Sequence, residues 1–320
     1  MKIAVVGCGA VGSYYGARLS RAGHEVHFLL RSDFAVVQAA GVCVRSEAGD
    51  FHVRPIAAAE PEQIGPCEAV LIGLKTTANH EFPRLLTPLV GPHTAVITLQ
   101  NGLGNVETLA QLFPPPQIFG GLCFVCLNRI APGVIQHLAH GLVVLGECQP
   151  TSGGCLARLV QAFRDAGIPC QPTDDLARAH WEKLVWNIPF NGLGVAGVAG
   201  YEAVLAGALP PHAPAGPVLT TDKLLADARW QTLVQELMLE VIAVAGALGK
   251  RIPASLAQDQ ILRTRNMSDY KASTLIDFER GQPLELDSLF LEPLRRAVAA
   301  GVATPRLAAL CRILCALNPR

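Results

Sequence analysis

Gly7-Cys8-Gly9-Ala10-Val11-Gly12 is a GxGxxG, and the chemistry it suits is the binding of a dinucleotide pyrophosphate. The first glycine allows a tight turn, the second lets the pyrophosphate approach the backbone, and the third lets helix and strand pack closely. A helix opening at this point offers free N–H groups and a positive dipole end to the phosphates. Gly7, Gly9, Ala10, Val11 and Gly12 are therefore the expected cofactor-binding positions. About twenty residues past such glycines an acid normally binds the ribose 2′-hydroxyl of NAD. Here Arg31 and Ser32 stand there, and Asp33 comes only after them. A guanidinium can give a 2′-phosphate two charge-assisted hydrogen bonds, so the cofactor expected is NADP(H).

Other residues invite chemistry by their place. Lys75 closes an apolar run and Gln100-Asn101-Gly102 closes the next. In a doubly wound sheet ligands collect beyond the carboxyl ends of the strands, and a lysine there must reach a phosphate, a substrate anion or water. Further on, Lys183, Asn187 and Asn191 recur every four residues, which places them on one helical face. Their neighbours Leu184, Val185, Trp186, Ile188 and Phe190 are apolar. Three polar groups on such a stripe are costly to bury unpaired; they are either satisfied core amides with a lysine reaching solvent, or groups that meet a ligand. Glu285 lies between Leu284 and Leu286, where a carboxylate wants a donor.

The elements that must position these groups are legible in outline. Residues 2–6 read as a buried parallel strand, 13–22 as a helix stopped by Gly23, and 25–30 as a second strand. Short strands are expected at 42–45, 51–54, 69–74, 95–99, 121–127 and 142–146, with helices at 81–90 and 106–112 and a turn at Ala131-Pro132-Gly133. Strands alternating with helices imply an α/β, doubly wound sheet. After about residue 170 the pattern turns helical. Asp174 or Asp175 can cap a helix running through Lys183, Pro189 should kink it, and residues 232–248 form a strongly apolar helix. The expected domains are residues 1–170 and 171–320. Residues 207–217 are proline-rich and read as an exposed loop.

Composition narrows the function. With 26 basic and 26 acidic residues among 320, nothing calls for a nucleic-acid or acidic-membrane partner. Residues 184–201, though uncharged, contain Asn187, Pro189, Asn191 and several glycines, poor material for a spanning helix. The apolar run after Lys2 is short and lacks a cleavage-like site, so a cytoplasmic location is expected. The ten cysteines are scattered. Cys123-Phe-Val-Cys126 is a CxxC without a second pair, and Cys311 and Cys315 share a helix face with leucines, so buried thiols and no structural metal are expected.

Together these motifs resemble the ketopantoate reductases (2-dehydropantoate 2-reductases) over essentially the whole chain. The resemblance rests on Gly7, Gly9 and Gly12 with Arg31, on Lys75, on Gln100-Asn101-Gly102, and on Trp181-Glu-Lys183-Leu with Asn187 and Asn191. It is completed by Tyr270-Lys-x-Ser273, Gly281 and Glu285-Leu-Asp287. It implies an N-terminal Rossmann-type domain, a mainly α-helical C-terminal domain like that of 6-phosphogluconate dehydrogenase, and an active site in the cleft. It further implies NADPH-dependent reduction of a small 2-keto acid, in pantothenate and coenzyme A synthesis. By resemblance Lys183 is the general acid and Glu285 binds the substrate hydroxyl and orients the lysine. Asn187 and Asn191 line the substrate pocket, Ser273 binds the carboxylate, and Lys75 and Asn101 lie at the cofactor–substrate junction.

The sequence departs from the family pattern at Tyr201 and Tyr270, where substrate-side asparagines are usual, at Phe290-Leu291 in place of Asn-Gly, and at the 207–217 insertion. These changes suggest the alternative of a different 2-keto or 3-keto acid. A catalytically silent NADP(H)-binding sensor is the rival from another class, and Lys183 with Glu285 argues against it. A helical second domain with exposed apolar faces would support a homodimer.

Overall fold

The computed structural model describes residues 1–150, 153–209 and 216–318. The part of the 207–217 loop at 210–215 lies outside the described residues. The chain divides into two compact units, Met1–Leu176 and Ala177–Arg320.

In the first unit the elements run β1 (Lys2–Val6), α1 (Ala10–Arg21), β2 (Glu25–Leu29), α2 (Phe34–Ala40), β3 (Val42–Ser46), β4 (Phe51–Val53), β5 (Ile56–Ala58) and β6 (Cys67–Ile72). They continue as α3 (Phe82–Leu86), β7 (Val90–Thr98), α4 (Asn105–Ala110), β8 (Ile118–Ala131), β9 (Val134–Glu147), α5 (Cys155–Asp165) and β10 (Cys170–Thr173). All ten strands form one sheet, ordered β4-β3-β9-β8-β7-β6-β1-β2-β5, with β10 also on β9. From β5 to β8 every pairing is parallel. This is the 3-2-1-4-5-6 order of dinucleotide folds, with the reversal between β1 and β6. The rest is mixed: β8 and β9 form a long antiparallel hairpin, β3 runs parallel to β9, and β4 antiparallel to β3.

Period-two alternation builds the core. Ile3 and Val5 join one cluster with Phe28, Leu71 and Ile97, while Ala4 and Val6 join the opposite cluster with Val70, Ile72, Phe82 and Leu86. Each fully buried Phe or Leu contributes about 1.5–3 kcal/mol through burial. Helix α1 touches β1, β2 and β6 and also β3, β4, β8 and β9, so the sheet curls around it. Tyr15 on α1 is wholly buried, and its hydroxyl donates to the Gly141 carbonyl at 3.3 Å. The helix stops as expected: Gly23 has φ +90° and the His24 N–H reaches back to the Leu19 carbonyl.

Several expectations need adjustment. The segment expected as one helix at 81–90 is a 3₁₀ stretch at Thr76–Glu81, then α3, then a 3₁₀ turn at Thr87–Leu89, divided where Pro83 and Pro88 interrupt the hydrogen-bond ladder. Strands β8 and β9 are each 14 residues long, well beyond 121–127 and 142–146. Elements α2, β5, α5 and β10 were not anticipated.

The second unit is helical: α6 (Leu176–Ala196), α7 (Tyr201–Ala206), α8 (Thr221–Ala226), α9 (Ala228–Ala247), α10 (Ser255–Thr264), α11 (Ser273–Glu279), α12 (Glu292–Ala299) and α13 (Pro305–Leu317). Helix α6 continues through Pro189 and is buried nearly all round from Leu184 onward, the mark of a central helix. Close packing demands its glycines: a Cβ at Gly192 would lie 2.6 Å from Leu310 and 2.9 Å from Phe290. Helix α9 buries Val234, Leu237, Met238, Val241, Ile242 and Ala245, as its spacing predicts. Glu240 on α9 accepts the N–H groups of Arg306 and Leu307 at 2.9 Å each, capping α13.

All ten cysteines are free. Five are buried, but Cys315 is exposed, because the buried face of α13 centres on Leu307, Leu310 and Leu314 and the helix turns past it. Burial pushes the Cys170 thiol up to about 11 and that of Cys311 to about 12, which leaves both inert near neutral pH. Among the described residues no group of His, Cys, Asp and Glu could hold a metal ion, and no helix is long and apolar enough to cross a membrane.

Candidate active site

In the first unit the glycine loop lies at the carboxyl end of β1, beside the topological reversal. The three glycines serve three separate ends. Gly7 has φ +92°, and a Cβ there would lie 2.2 Å from the Leu74 nitrogen. A Cβ at Gly12 would lie 2.2 Å from the Gly7 carbonyl oxygen and 3.2 Å from Val5, so this glycine sets how closely α1 approaches β1. Gly9 precedes the first residue of α1, and a Cβ on it would meet nothing within 4 Å. No atom of the protein takes up the space a side chain would fill there, and the Gly9 backbone stands open to solvent. The loop is braced by Ser13, whose hydroxyl donates to the Cys8 carbonyl at 2.9 Å. Burial pushes the Cys8 thiol far up, and it donates to the Val5 and Leu29 carbonyls at 3.5 Å.

Beyond the neighbouring strand ends lie Lys75 and Asn101. Lys75 is exposed and directly precedes the 3₁₀ stretch Thr76–Glu81. Asn101 is half-buried in the loop between β7 and α4. A chain of amides ties these two loops. The Thr98 hydroxyl donates to Gln100 Oε1 at 2.9 Å, Gln100 Nε2 to Asn79 Oδ1 at 2.8 Å, Asn79 Nδ2 to Asn105 Oδ1 at 2.9 Å, and Asn105 Nδ2 to the Asn101 carbonyl at 3.0 Å. Gln100 and Asn105 are buried. Sequence reasoning missed Asn79 and Asn105, which belong to no motif; their only signal was two polar residues near strand ends already under suspicion.

At the end of β2, Arg31 is exposed in a bend, and the Phe34 N–H bonds its carbonyl. Asp33, by contrast, is buried and fully engaged. Arg129 on β8 donates Nε to Oδ2 at 2.9 Å and a second guanidinium nitrogen to Oδ1. The Gly133 N–H donates to Oδ2 at 3.1 Å and the Ser32 hydroxyl to Oδ1 at 2.9 Å. Burial raises the Asp33 carboxyl, but the Arg129, Ser32 and Gly133 bonds outweigh it and hold the group below its ordinary value. The Ser32 hydroxyl proton is therefore committed to Asp33, and Arg31 is the exposed cation two residues before that carboxylate.

In the second unit Lys183, Asn187 and Asn191 all lie on α6. Lys183 is half-buried, while Asn187 and Asn191 are 7% and 2% exposed. Asn191 Oδ1 accepts from the Ser273 hydroxyl at 3.2 Å and from the Thr274 N–H at 3.0 Å, so the fold joins Asn191 to Ser273 and pins the start of α11 to α6. With its oxygen occupied, Asn191 has its NH₂ to offer a ligand. Glu285 is buried at 5% exposure, two residues before a single π-helical turn, Asp287–Leu291. Such turns recur where a helix re-aims functional side chains.

The two tyrosines that depart from the family pattern belong to this unit's own packing. Tyr201 meets the Trp230 ring edge-on at 5.1 Å, with the Arg229 guanidinium 5.0 Å from its ring centre. Tyr270 lies 6.2 Å from Trp186, whose indole N–H donates to Thr264 at 2.8 Å. Phe290 is wholly buried.

Comparison with known proteins follows the same division. The family model described as Ketopantoate reductase PanE/ApbA matches residues 3–150, and its C-terminal counterpart matches residues 218–318. A curated 2-dehydropantoate 2-reductase from Nostoc sp. is 39% identical over 325 aligned positions, covering 100% of this chain and 96% of the relative. The crystal structure of a 2-dehydropantoate 2-reductase from Geobacter metallireducens superposes with a TM-score of 0.89 at 44% identity, covering 98% of this chain and 99% of that one. A D-mandelate dehydrogenase solved with NADH and anilino(oxo)acetate shares the fold at 19% identity, with a TM-score of 0.84 and coverage of 99% and 98%. Matched by both models and along its whole length, the chain belongs to the ketopantoate reductase family of oxidoreductases.

Proposed function

We propose that the protein reduces the ketone of 2-dehydropantoate to pantoate with NADPH, a step of pantothenate and coenzyme A synthesis. The observation that carries this is the stripe of Lys183, Asn187 and Asn191 on a buried helix, in a chain whose full-length relatives are 2-dehydropantoate 2-reductases. A nicotinamide cofactor fits the first unit, since Gly9 opens its backbone to solvent at the start of α1 and Arg31 is the exposed cation at the end of β2. When bound, that cofactor supplies the hydride to the keto carbon. Lys75 and Asn101, on loops held together by the amide chain, contact it.

The second unit's residues manage the charge that results. As the keto carbon accepts hydride, negative charge gathers on its oxygen. The Lys183 ammonium stabilises that charge and supplies the proton. Glu285 hydrogen-bonds the nascent hydroxyl and orients the lysine. Asn187 and the Asn191 NH₂ line the substrate, and Ser273, fixed by Asn191, binds its carboxylate. Exposed Leu239, Leu248 and Val298 on the second unit support a homodimer, and a cytoplasmic location goes with the chemistry.

The test is Lys183→Ala. The expected outcome is a fall in kcat of about 10²–10⁴-fold with NADPH affinity unchanged by fluorescence titration. Turnover that survived the substitution would remove Lys183 from the role of acid.

A further inference from the structure

The carboxylate closest in sequence to the position that selects between NAD and NADP is Asp33, and every strong donor around it comes from within the fold. Arg129 grips both of its oxygens from β8, 96 residues away, and Gly133 of the turn between β8 and β9 adds its N–H. Asp33 is 6% exposed, whereas Arg31, two residues before it, is exposed. We propose that Arg129 is a specificity-positioning residue: by neutralising Asp33 and turning it into the protein, it leaves the 2′ position of the cofactor ribose to Arg31 alone.

Charge and geometry both argue for this. An acid just past the second strand is the group that accepts ribose hydroxyl protons in NAD-binding folds, and it repels a 2′-phosphate. Released from Arg129, Asp33 would keep only the neutral donors Ser32 and Gly133 and would not stay charged in the core without a cation. The carboxylate would turn outward at the end of β2, two residues in sequence from Arg31, where its charge opposes a 2′-phosphate. The Ser32 hydroxyl gives its proton to Asp33, so it supplies no substitute donor while the pair is intact. Arg129 never needs to touch the cofactor to set this preference.

The inference rests on Arg31 meeting the 2′-phosphate, and the experiment separates the two. Binding of 2′,5′-ADP and of 5′-AMP is measured by titration calorimetry, with KM for NADPH and NADH alongside, on wild type, Arg31→Gln, Arg129→Met, Asp33→Asn and the Arg129→Met/Asp33→Asn double variant. Arg129→Met should weaken 2′,5′-ADP by about tenfold while 5′-AMP shifts by less than about twofold, and the added Asp33→Asn should restore most of the loss. Equal weakening of both ligands, or no restoration in the double variant, would reduce Arg129 to a structural clamp and overturn the proposal. Should Arg129→Met fail to fold, Asp33→Asn alone decides: held or tightened 2′,5′-ADP binding supports the proposal, and a loss confined to 2′,5′-ADP overturns it. Arg31→Gln reports on the underlying assignment, since 2′,5′-ADP selectivity that survived it would place the 2′-phosphate elsewhere.

Discussion

Gly9 and Gly12 are three residues apart and are glycine for opposite reasons, which substitution can separate. Gly12→Ala puts a methyl group 2.2 Å from a backbone oxygen, so it should destabilise the fold by about 1–3 kcal/mol or more, as overpacking does. Gly9→Ala meets nothing within 4 Å and should leave stability within about 0.5 kcal/mol of wild type, yet weaken NADPH binding. Thermal unfolding and fluorescence titration of the two variants check this; a Gly9→Ala protein that bound NADPH normally would mean the loop holds no pyrophosphate. The turn at Gly7 and the close packing at Gly12 were legible in spacing alone. The partner of Asp33 was not, because no periodicity links residues 33 and 129. The pair carries its own pH signature. The folded-state pKa of Asp33 is lowered from 3.8, so its stabilisation is complete above that value and is lost as pH falls through the lower folded one. The stability advantage of wild type over Asp33→Asn in urea should therefore hold from pH 7 to about 5 and shrink below about 4. An advantage that stayed constant down to pH 3 would contradict the ion pair.

Elements position the rest of the site through contacts that a sequence pattern carries only in part. The loops bearing Lys75 and Asn101 were expected from strand ends, but what ties them is the Gln100–Asn79–Asn105 chain. Asn79→Ala strands two buried amides and should cost about 1–3 kcal/mol, with weaker NADPH binding because the two loops lose their tie. Urea unfolding and cofactor titration measure both, and an Asn79→Ala protein with unchanged stability would show the chain to be dispensable. Glu240→Ala removes both acceptors at the start of α13 and should cost about 1–2 kcal/mol without changing cofactor binding. Helix α5 carries Leu156, Leu159, Val160 and Phe163 at helical spacing, so its signal was present. Strand β10 was hidden for a physical reason: four residues, Cys-Gln-Pro-Thr, include a proline that strands accept only at edges. Helix 81–90 misled because its apolar spacing is genuine while Pro83 and Pro88 divide it.

For the whole molecule, the alternation of strands and helices was enough to set the class of the first unit, because each parallel pair requires a crossover. It could not reveal that β3, while paired with its neighbour β4, also joins β9, about 90 residues away, a pairing that goes with the curl of the sheet around α1. The helical second unit was readable from the apolar face of α9 and from the polar stripe of α6, which stood out because everything around it is apolar. The most direct test of the central claim is the steady-state oxidation of NADPH and of NADH by the purified protein, with 2-dehydropantoate beside a panel of other 2-keto acids. The expected result is a kcat/KM for 2-dehydropantoate with NADPH that exceeds every other pairing by about tenfold or more. Turnover confined to a different keto acid, or equal use of NADH, would contradict it.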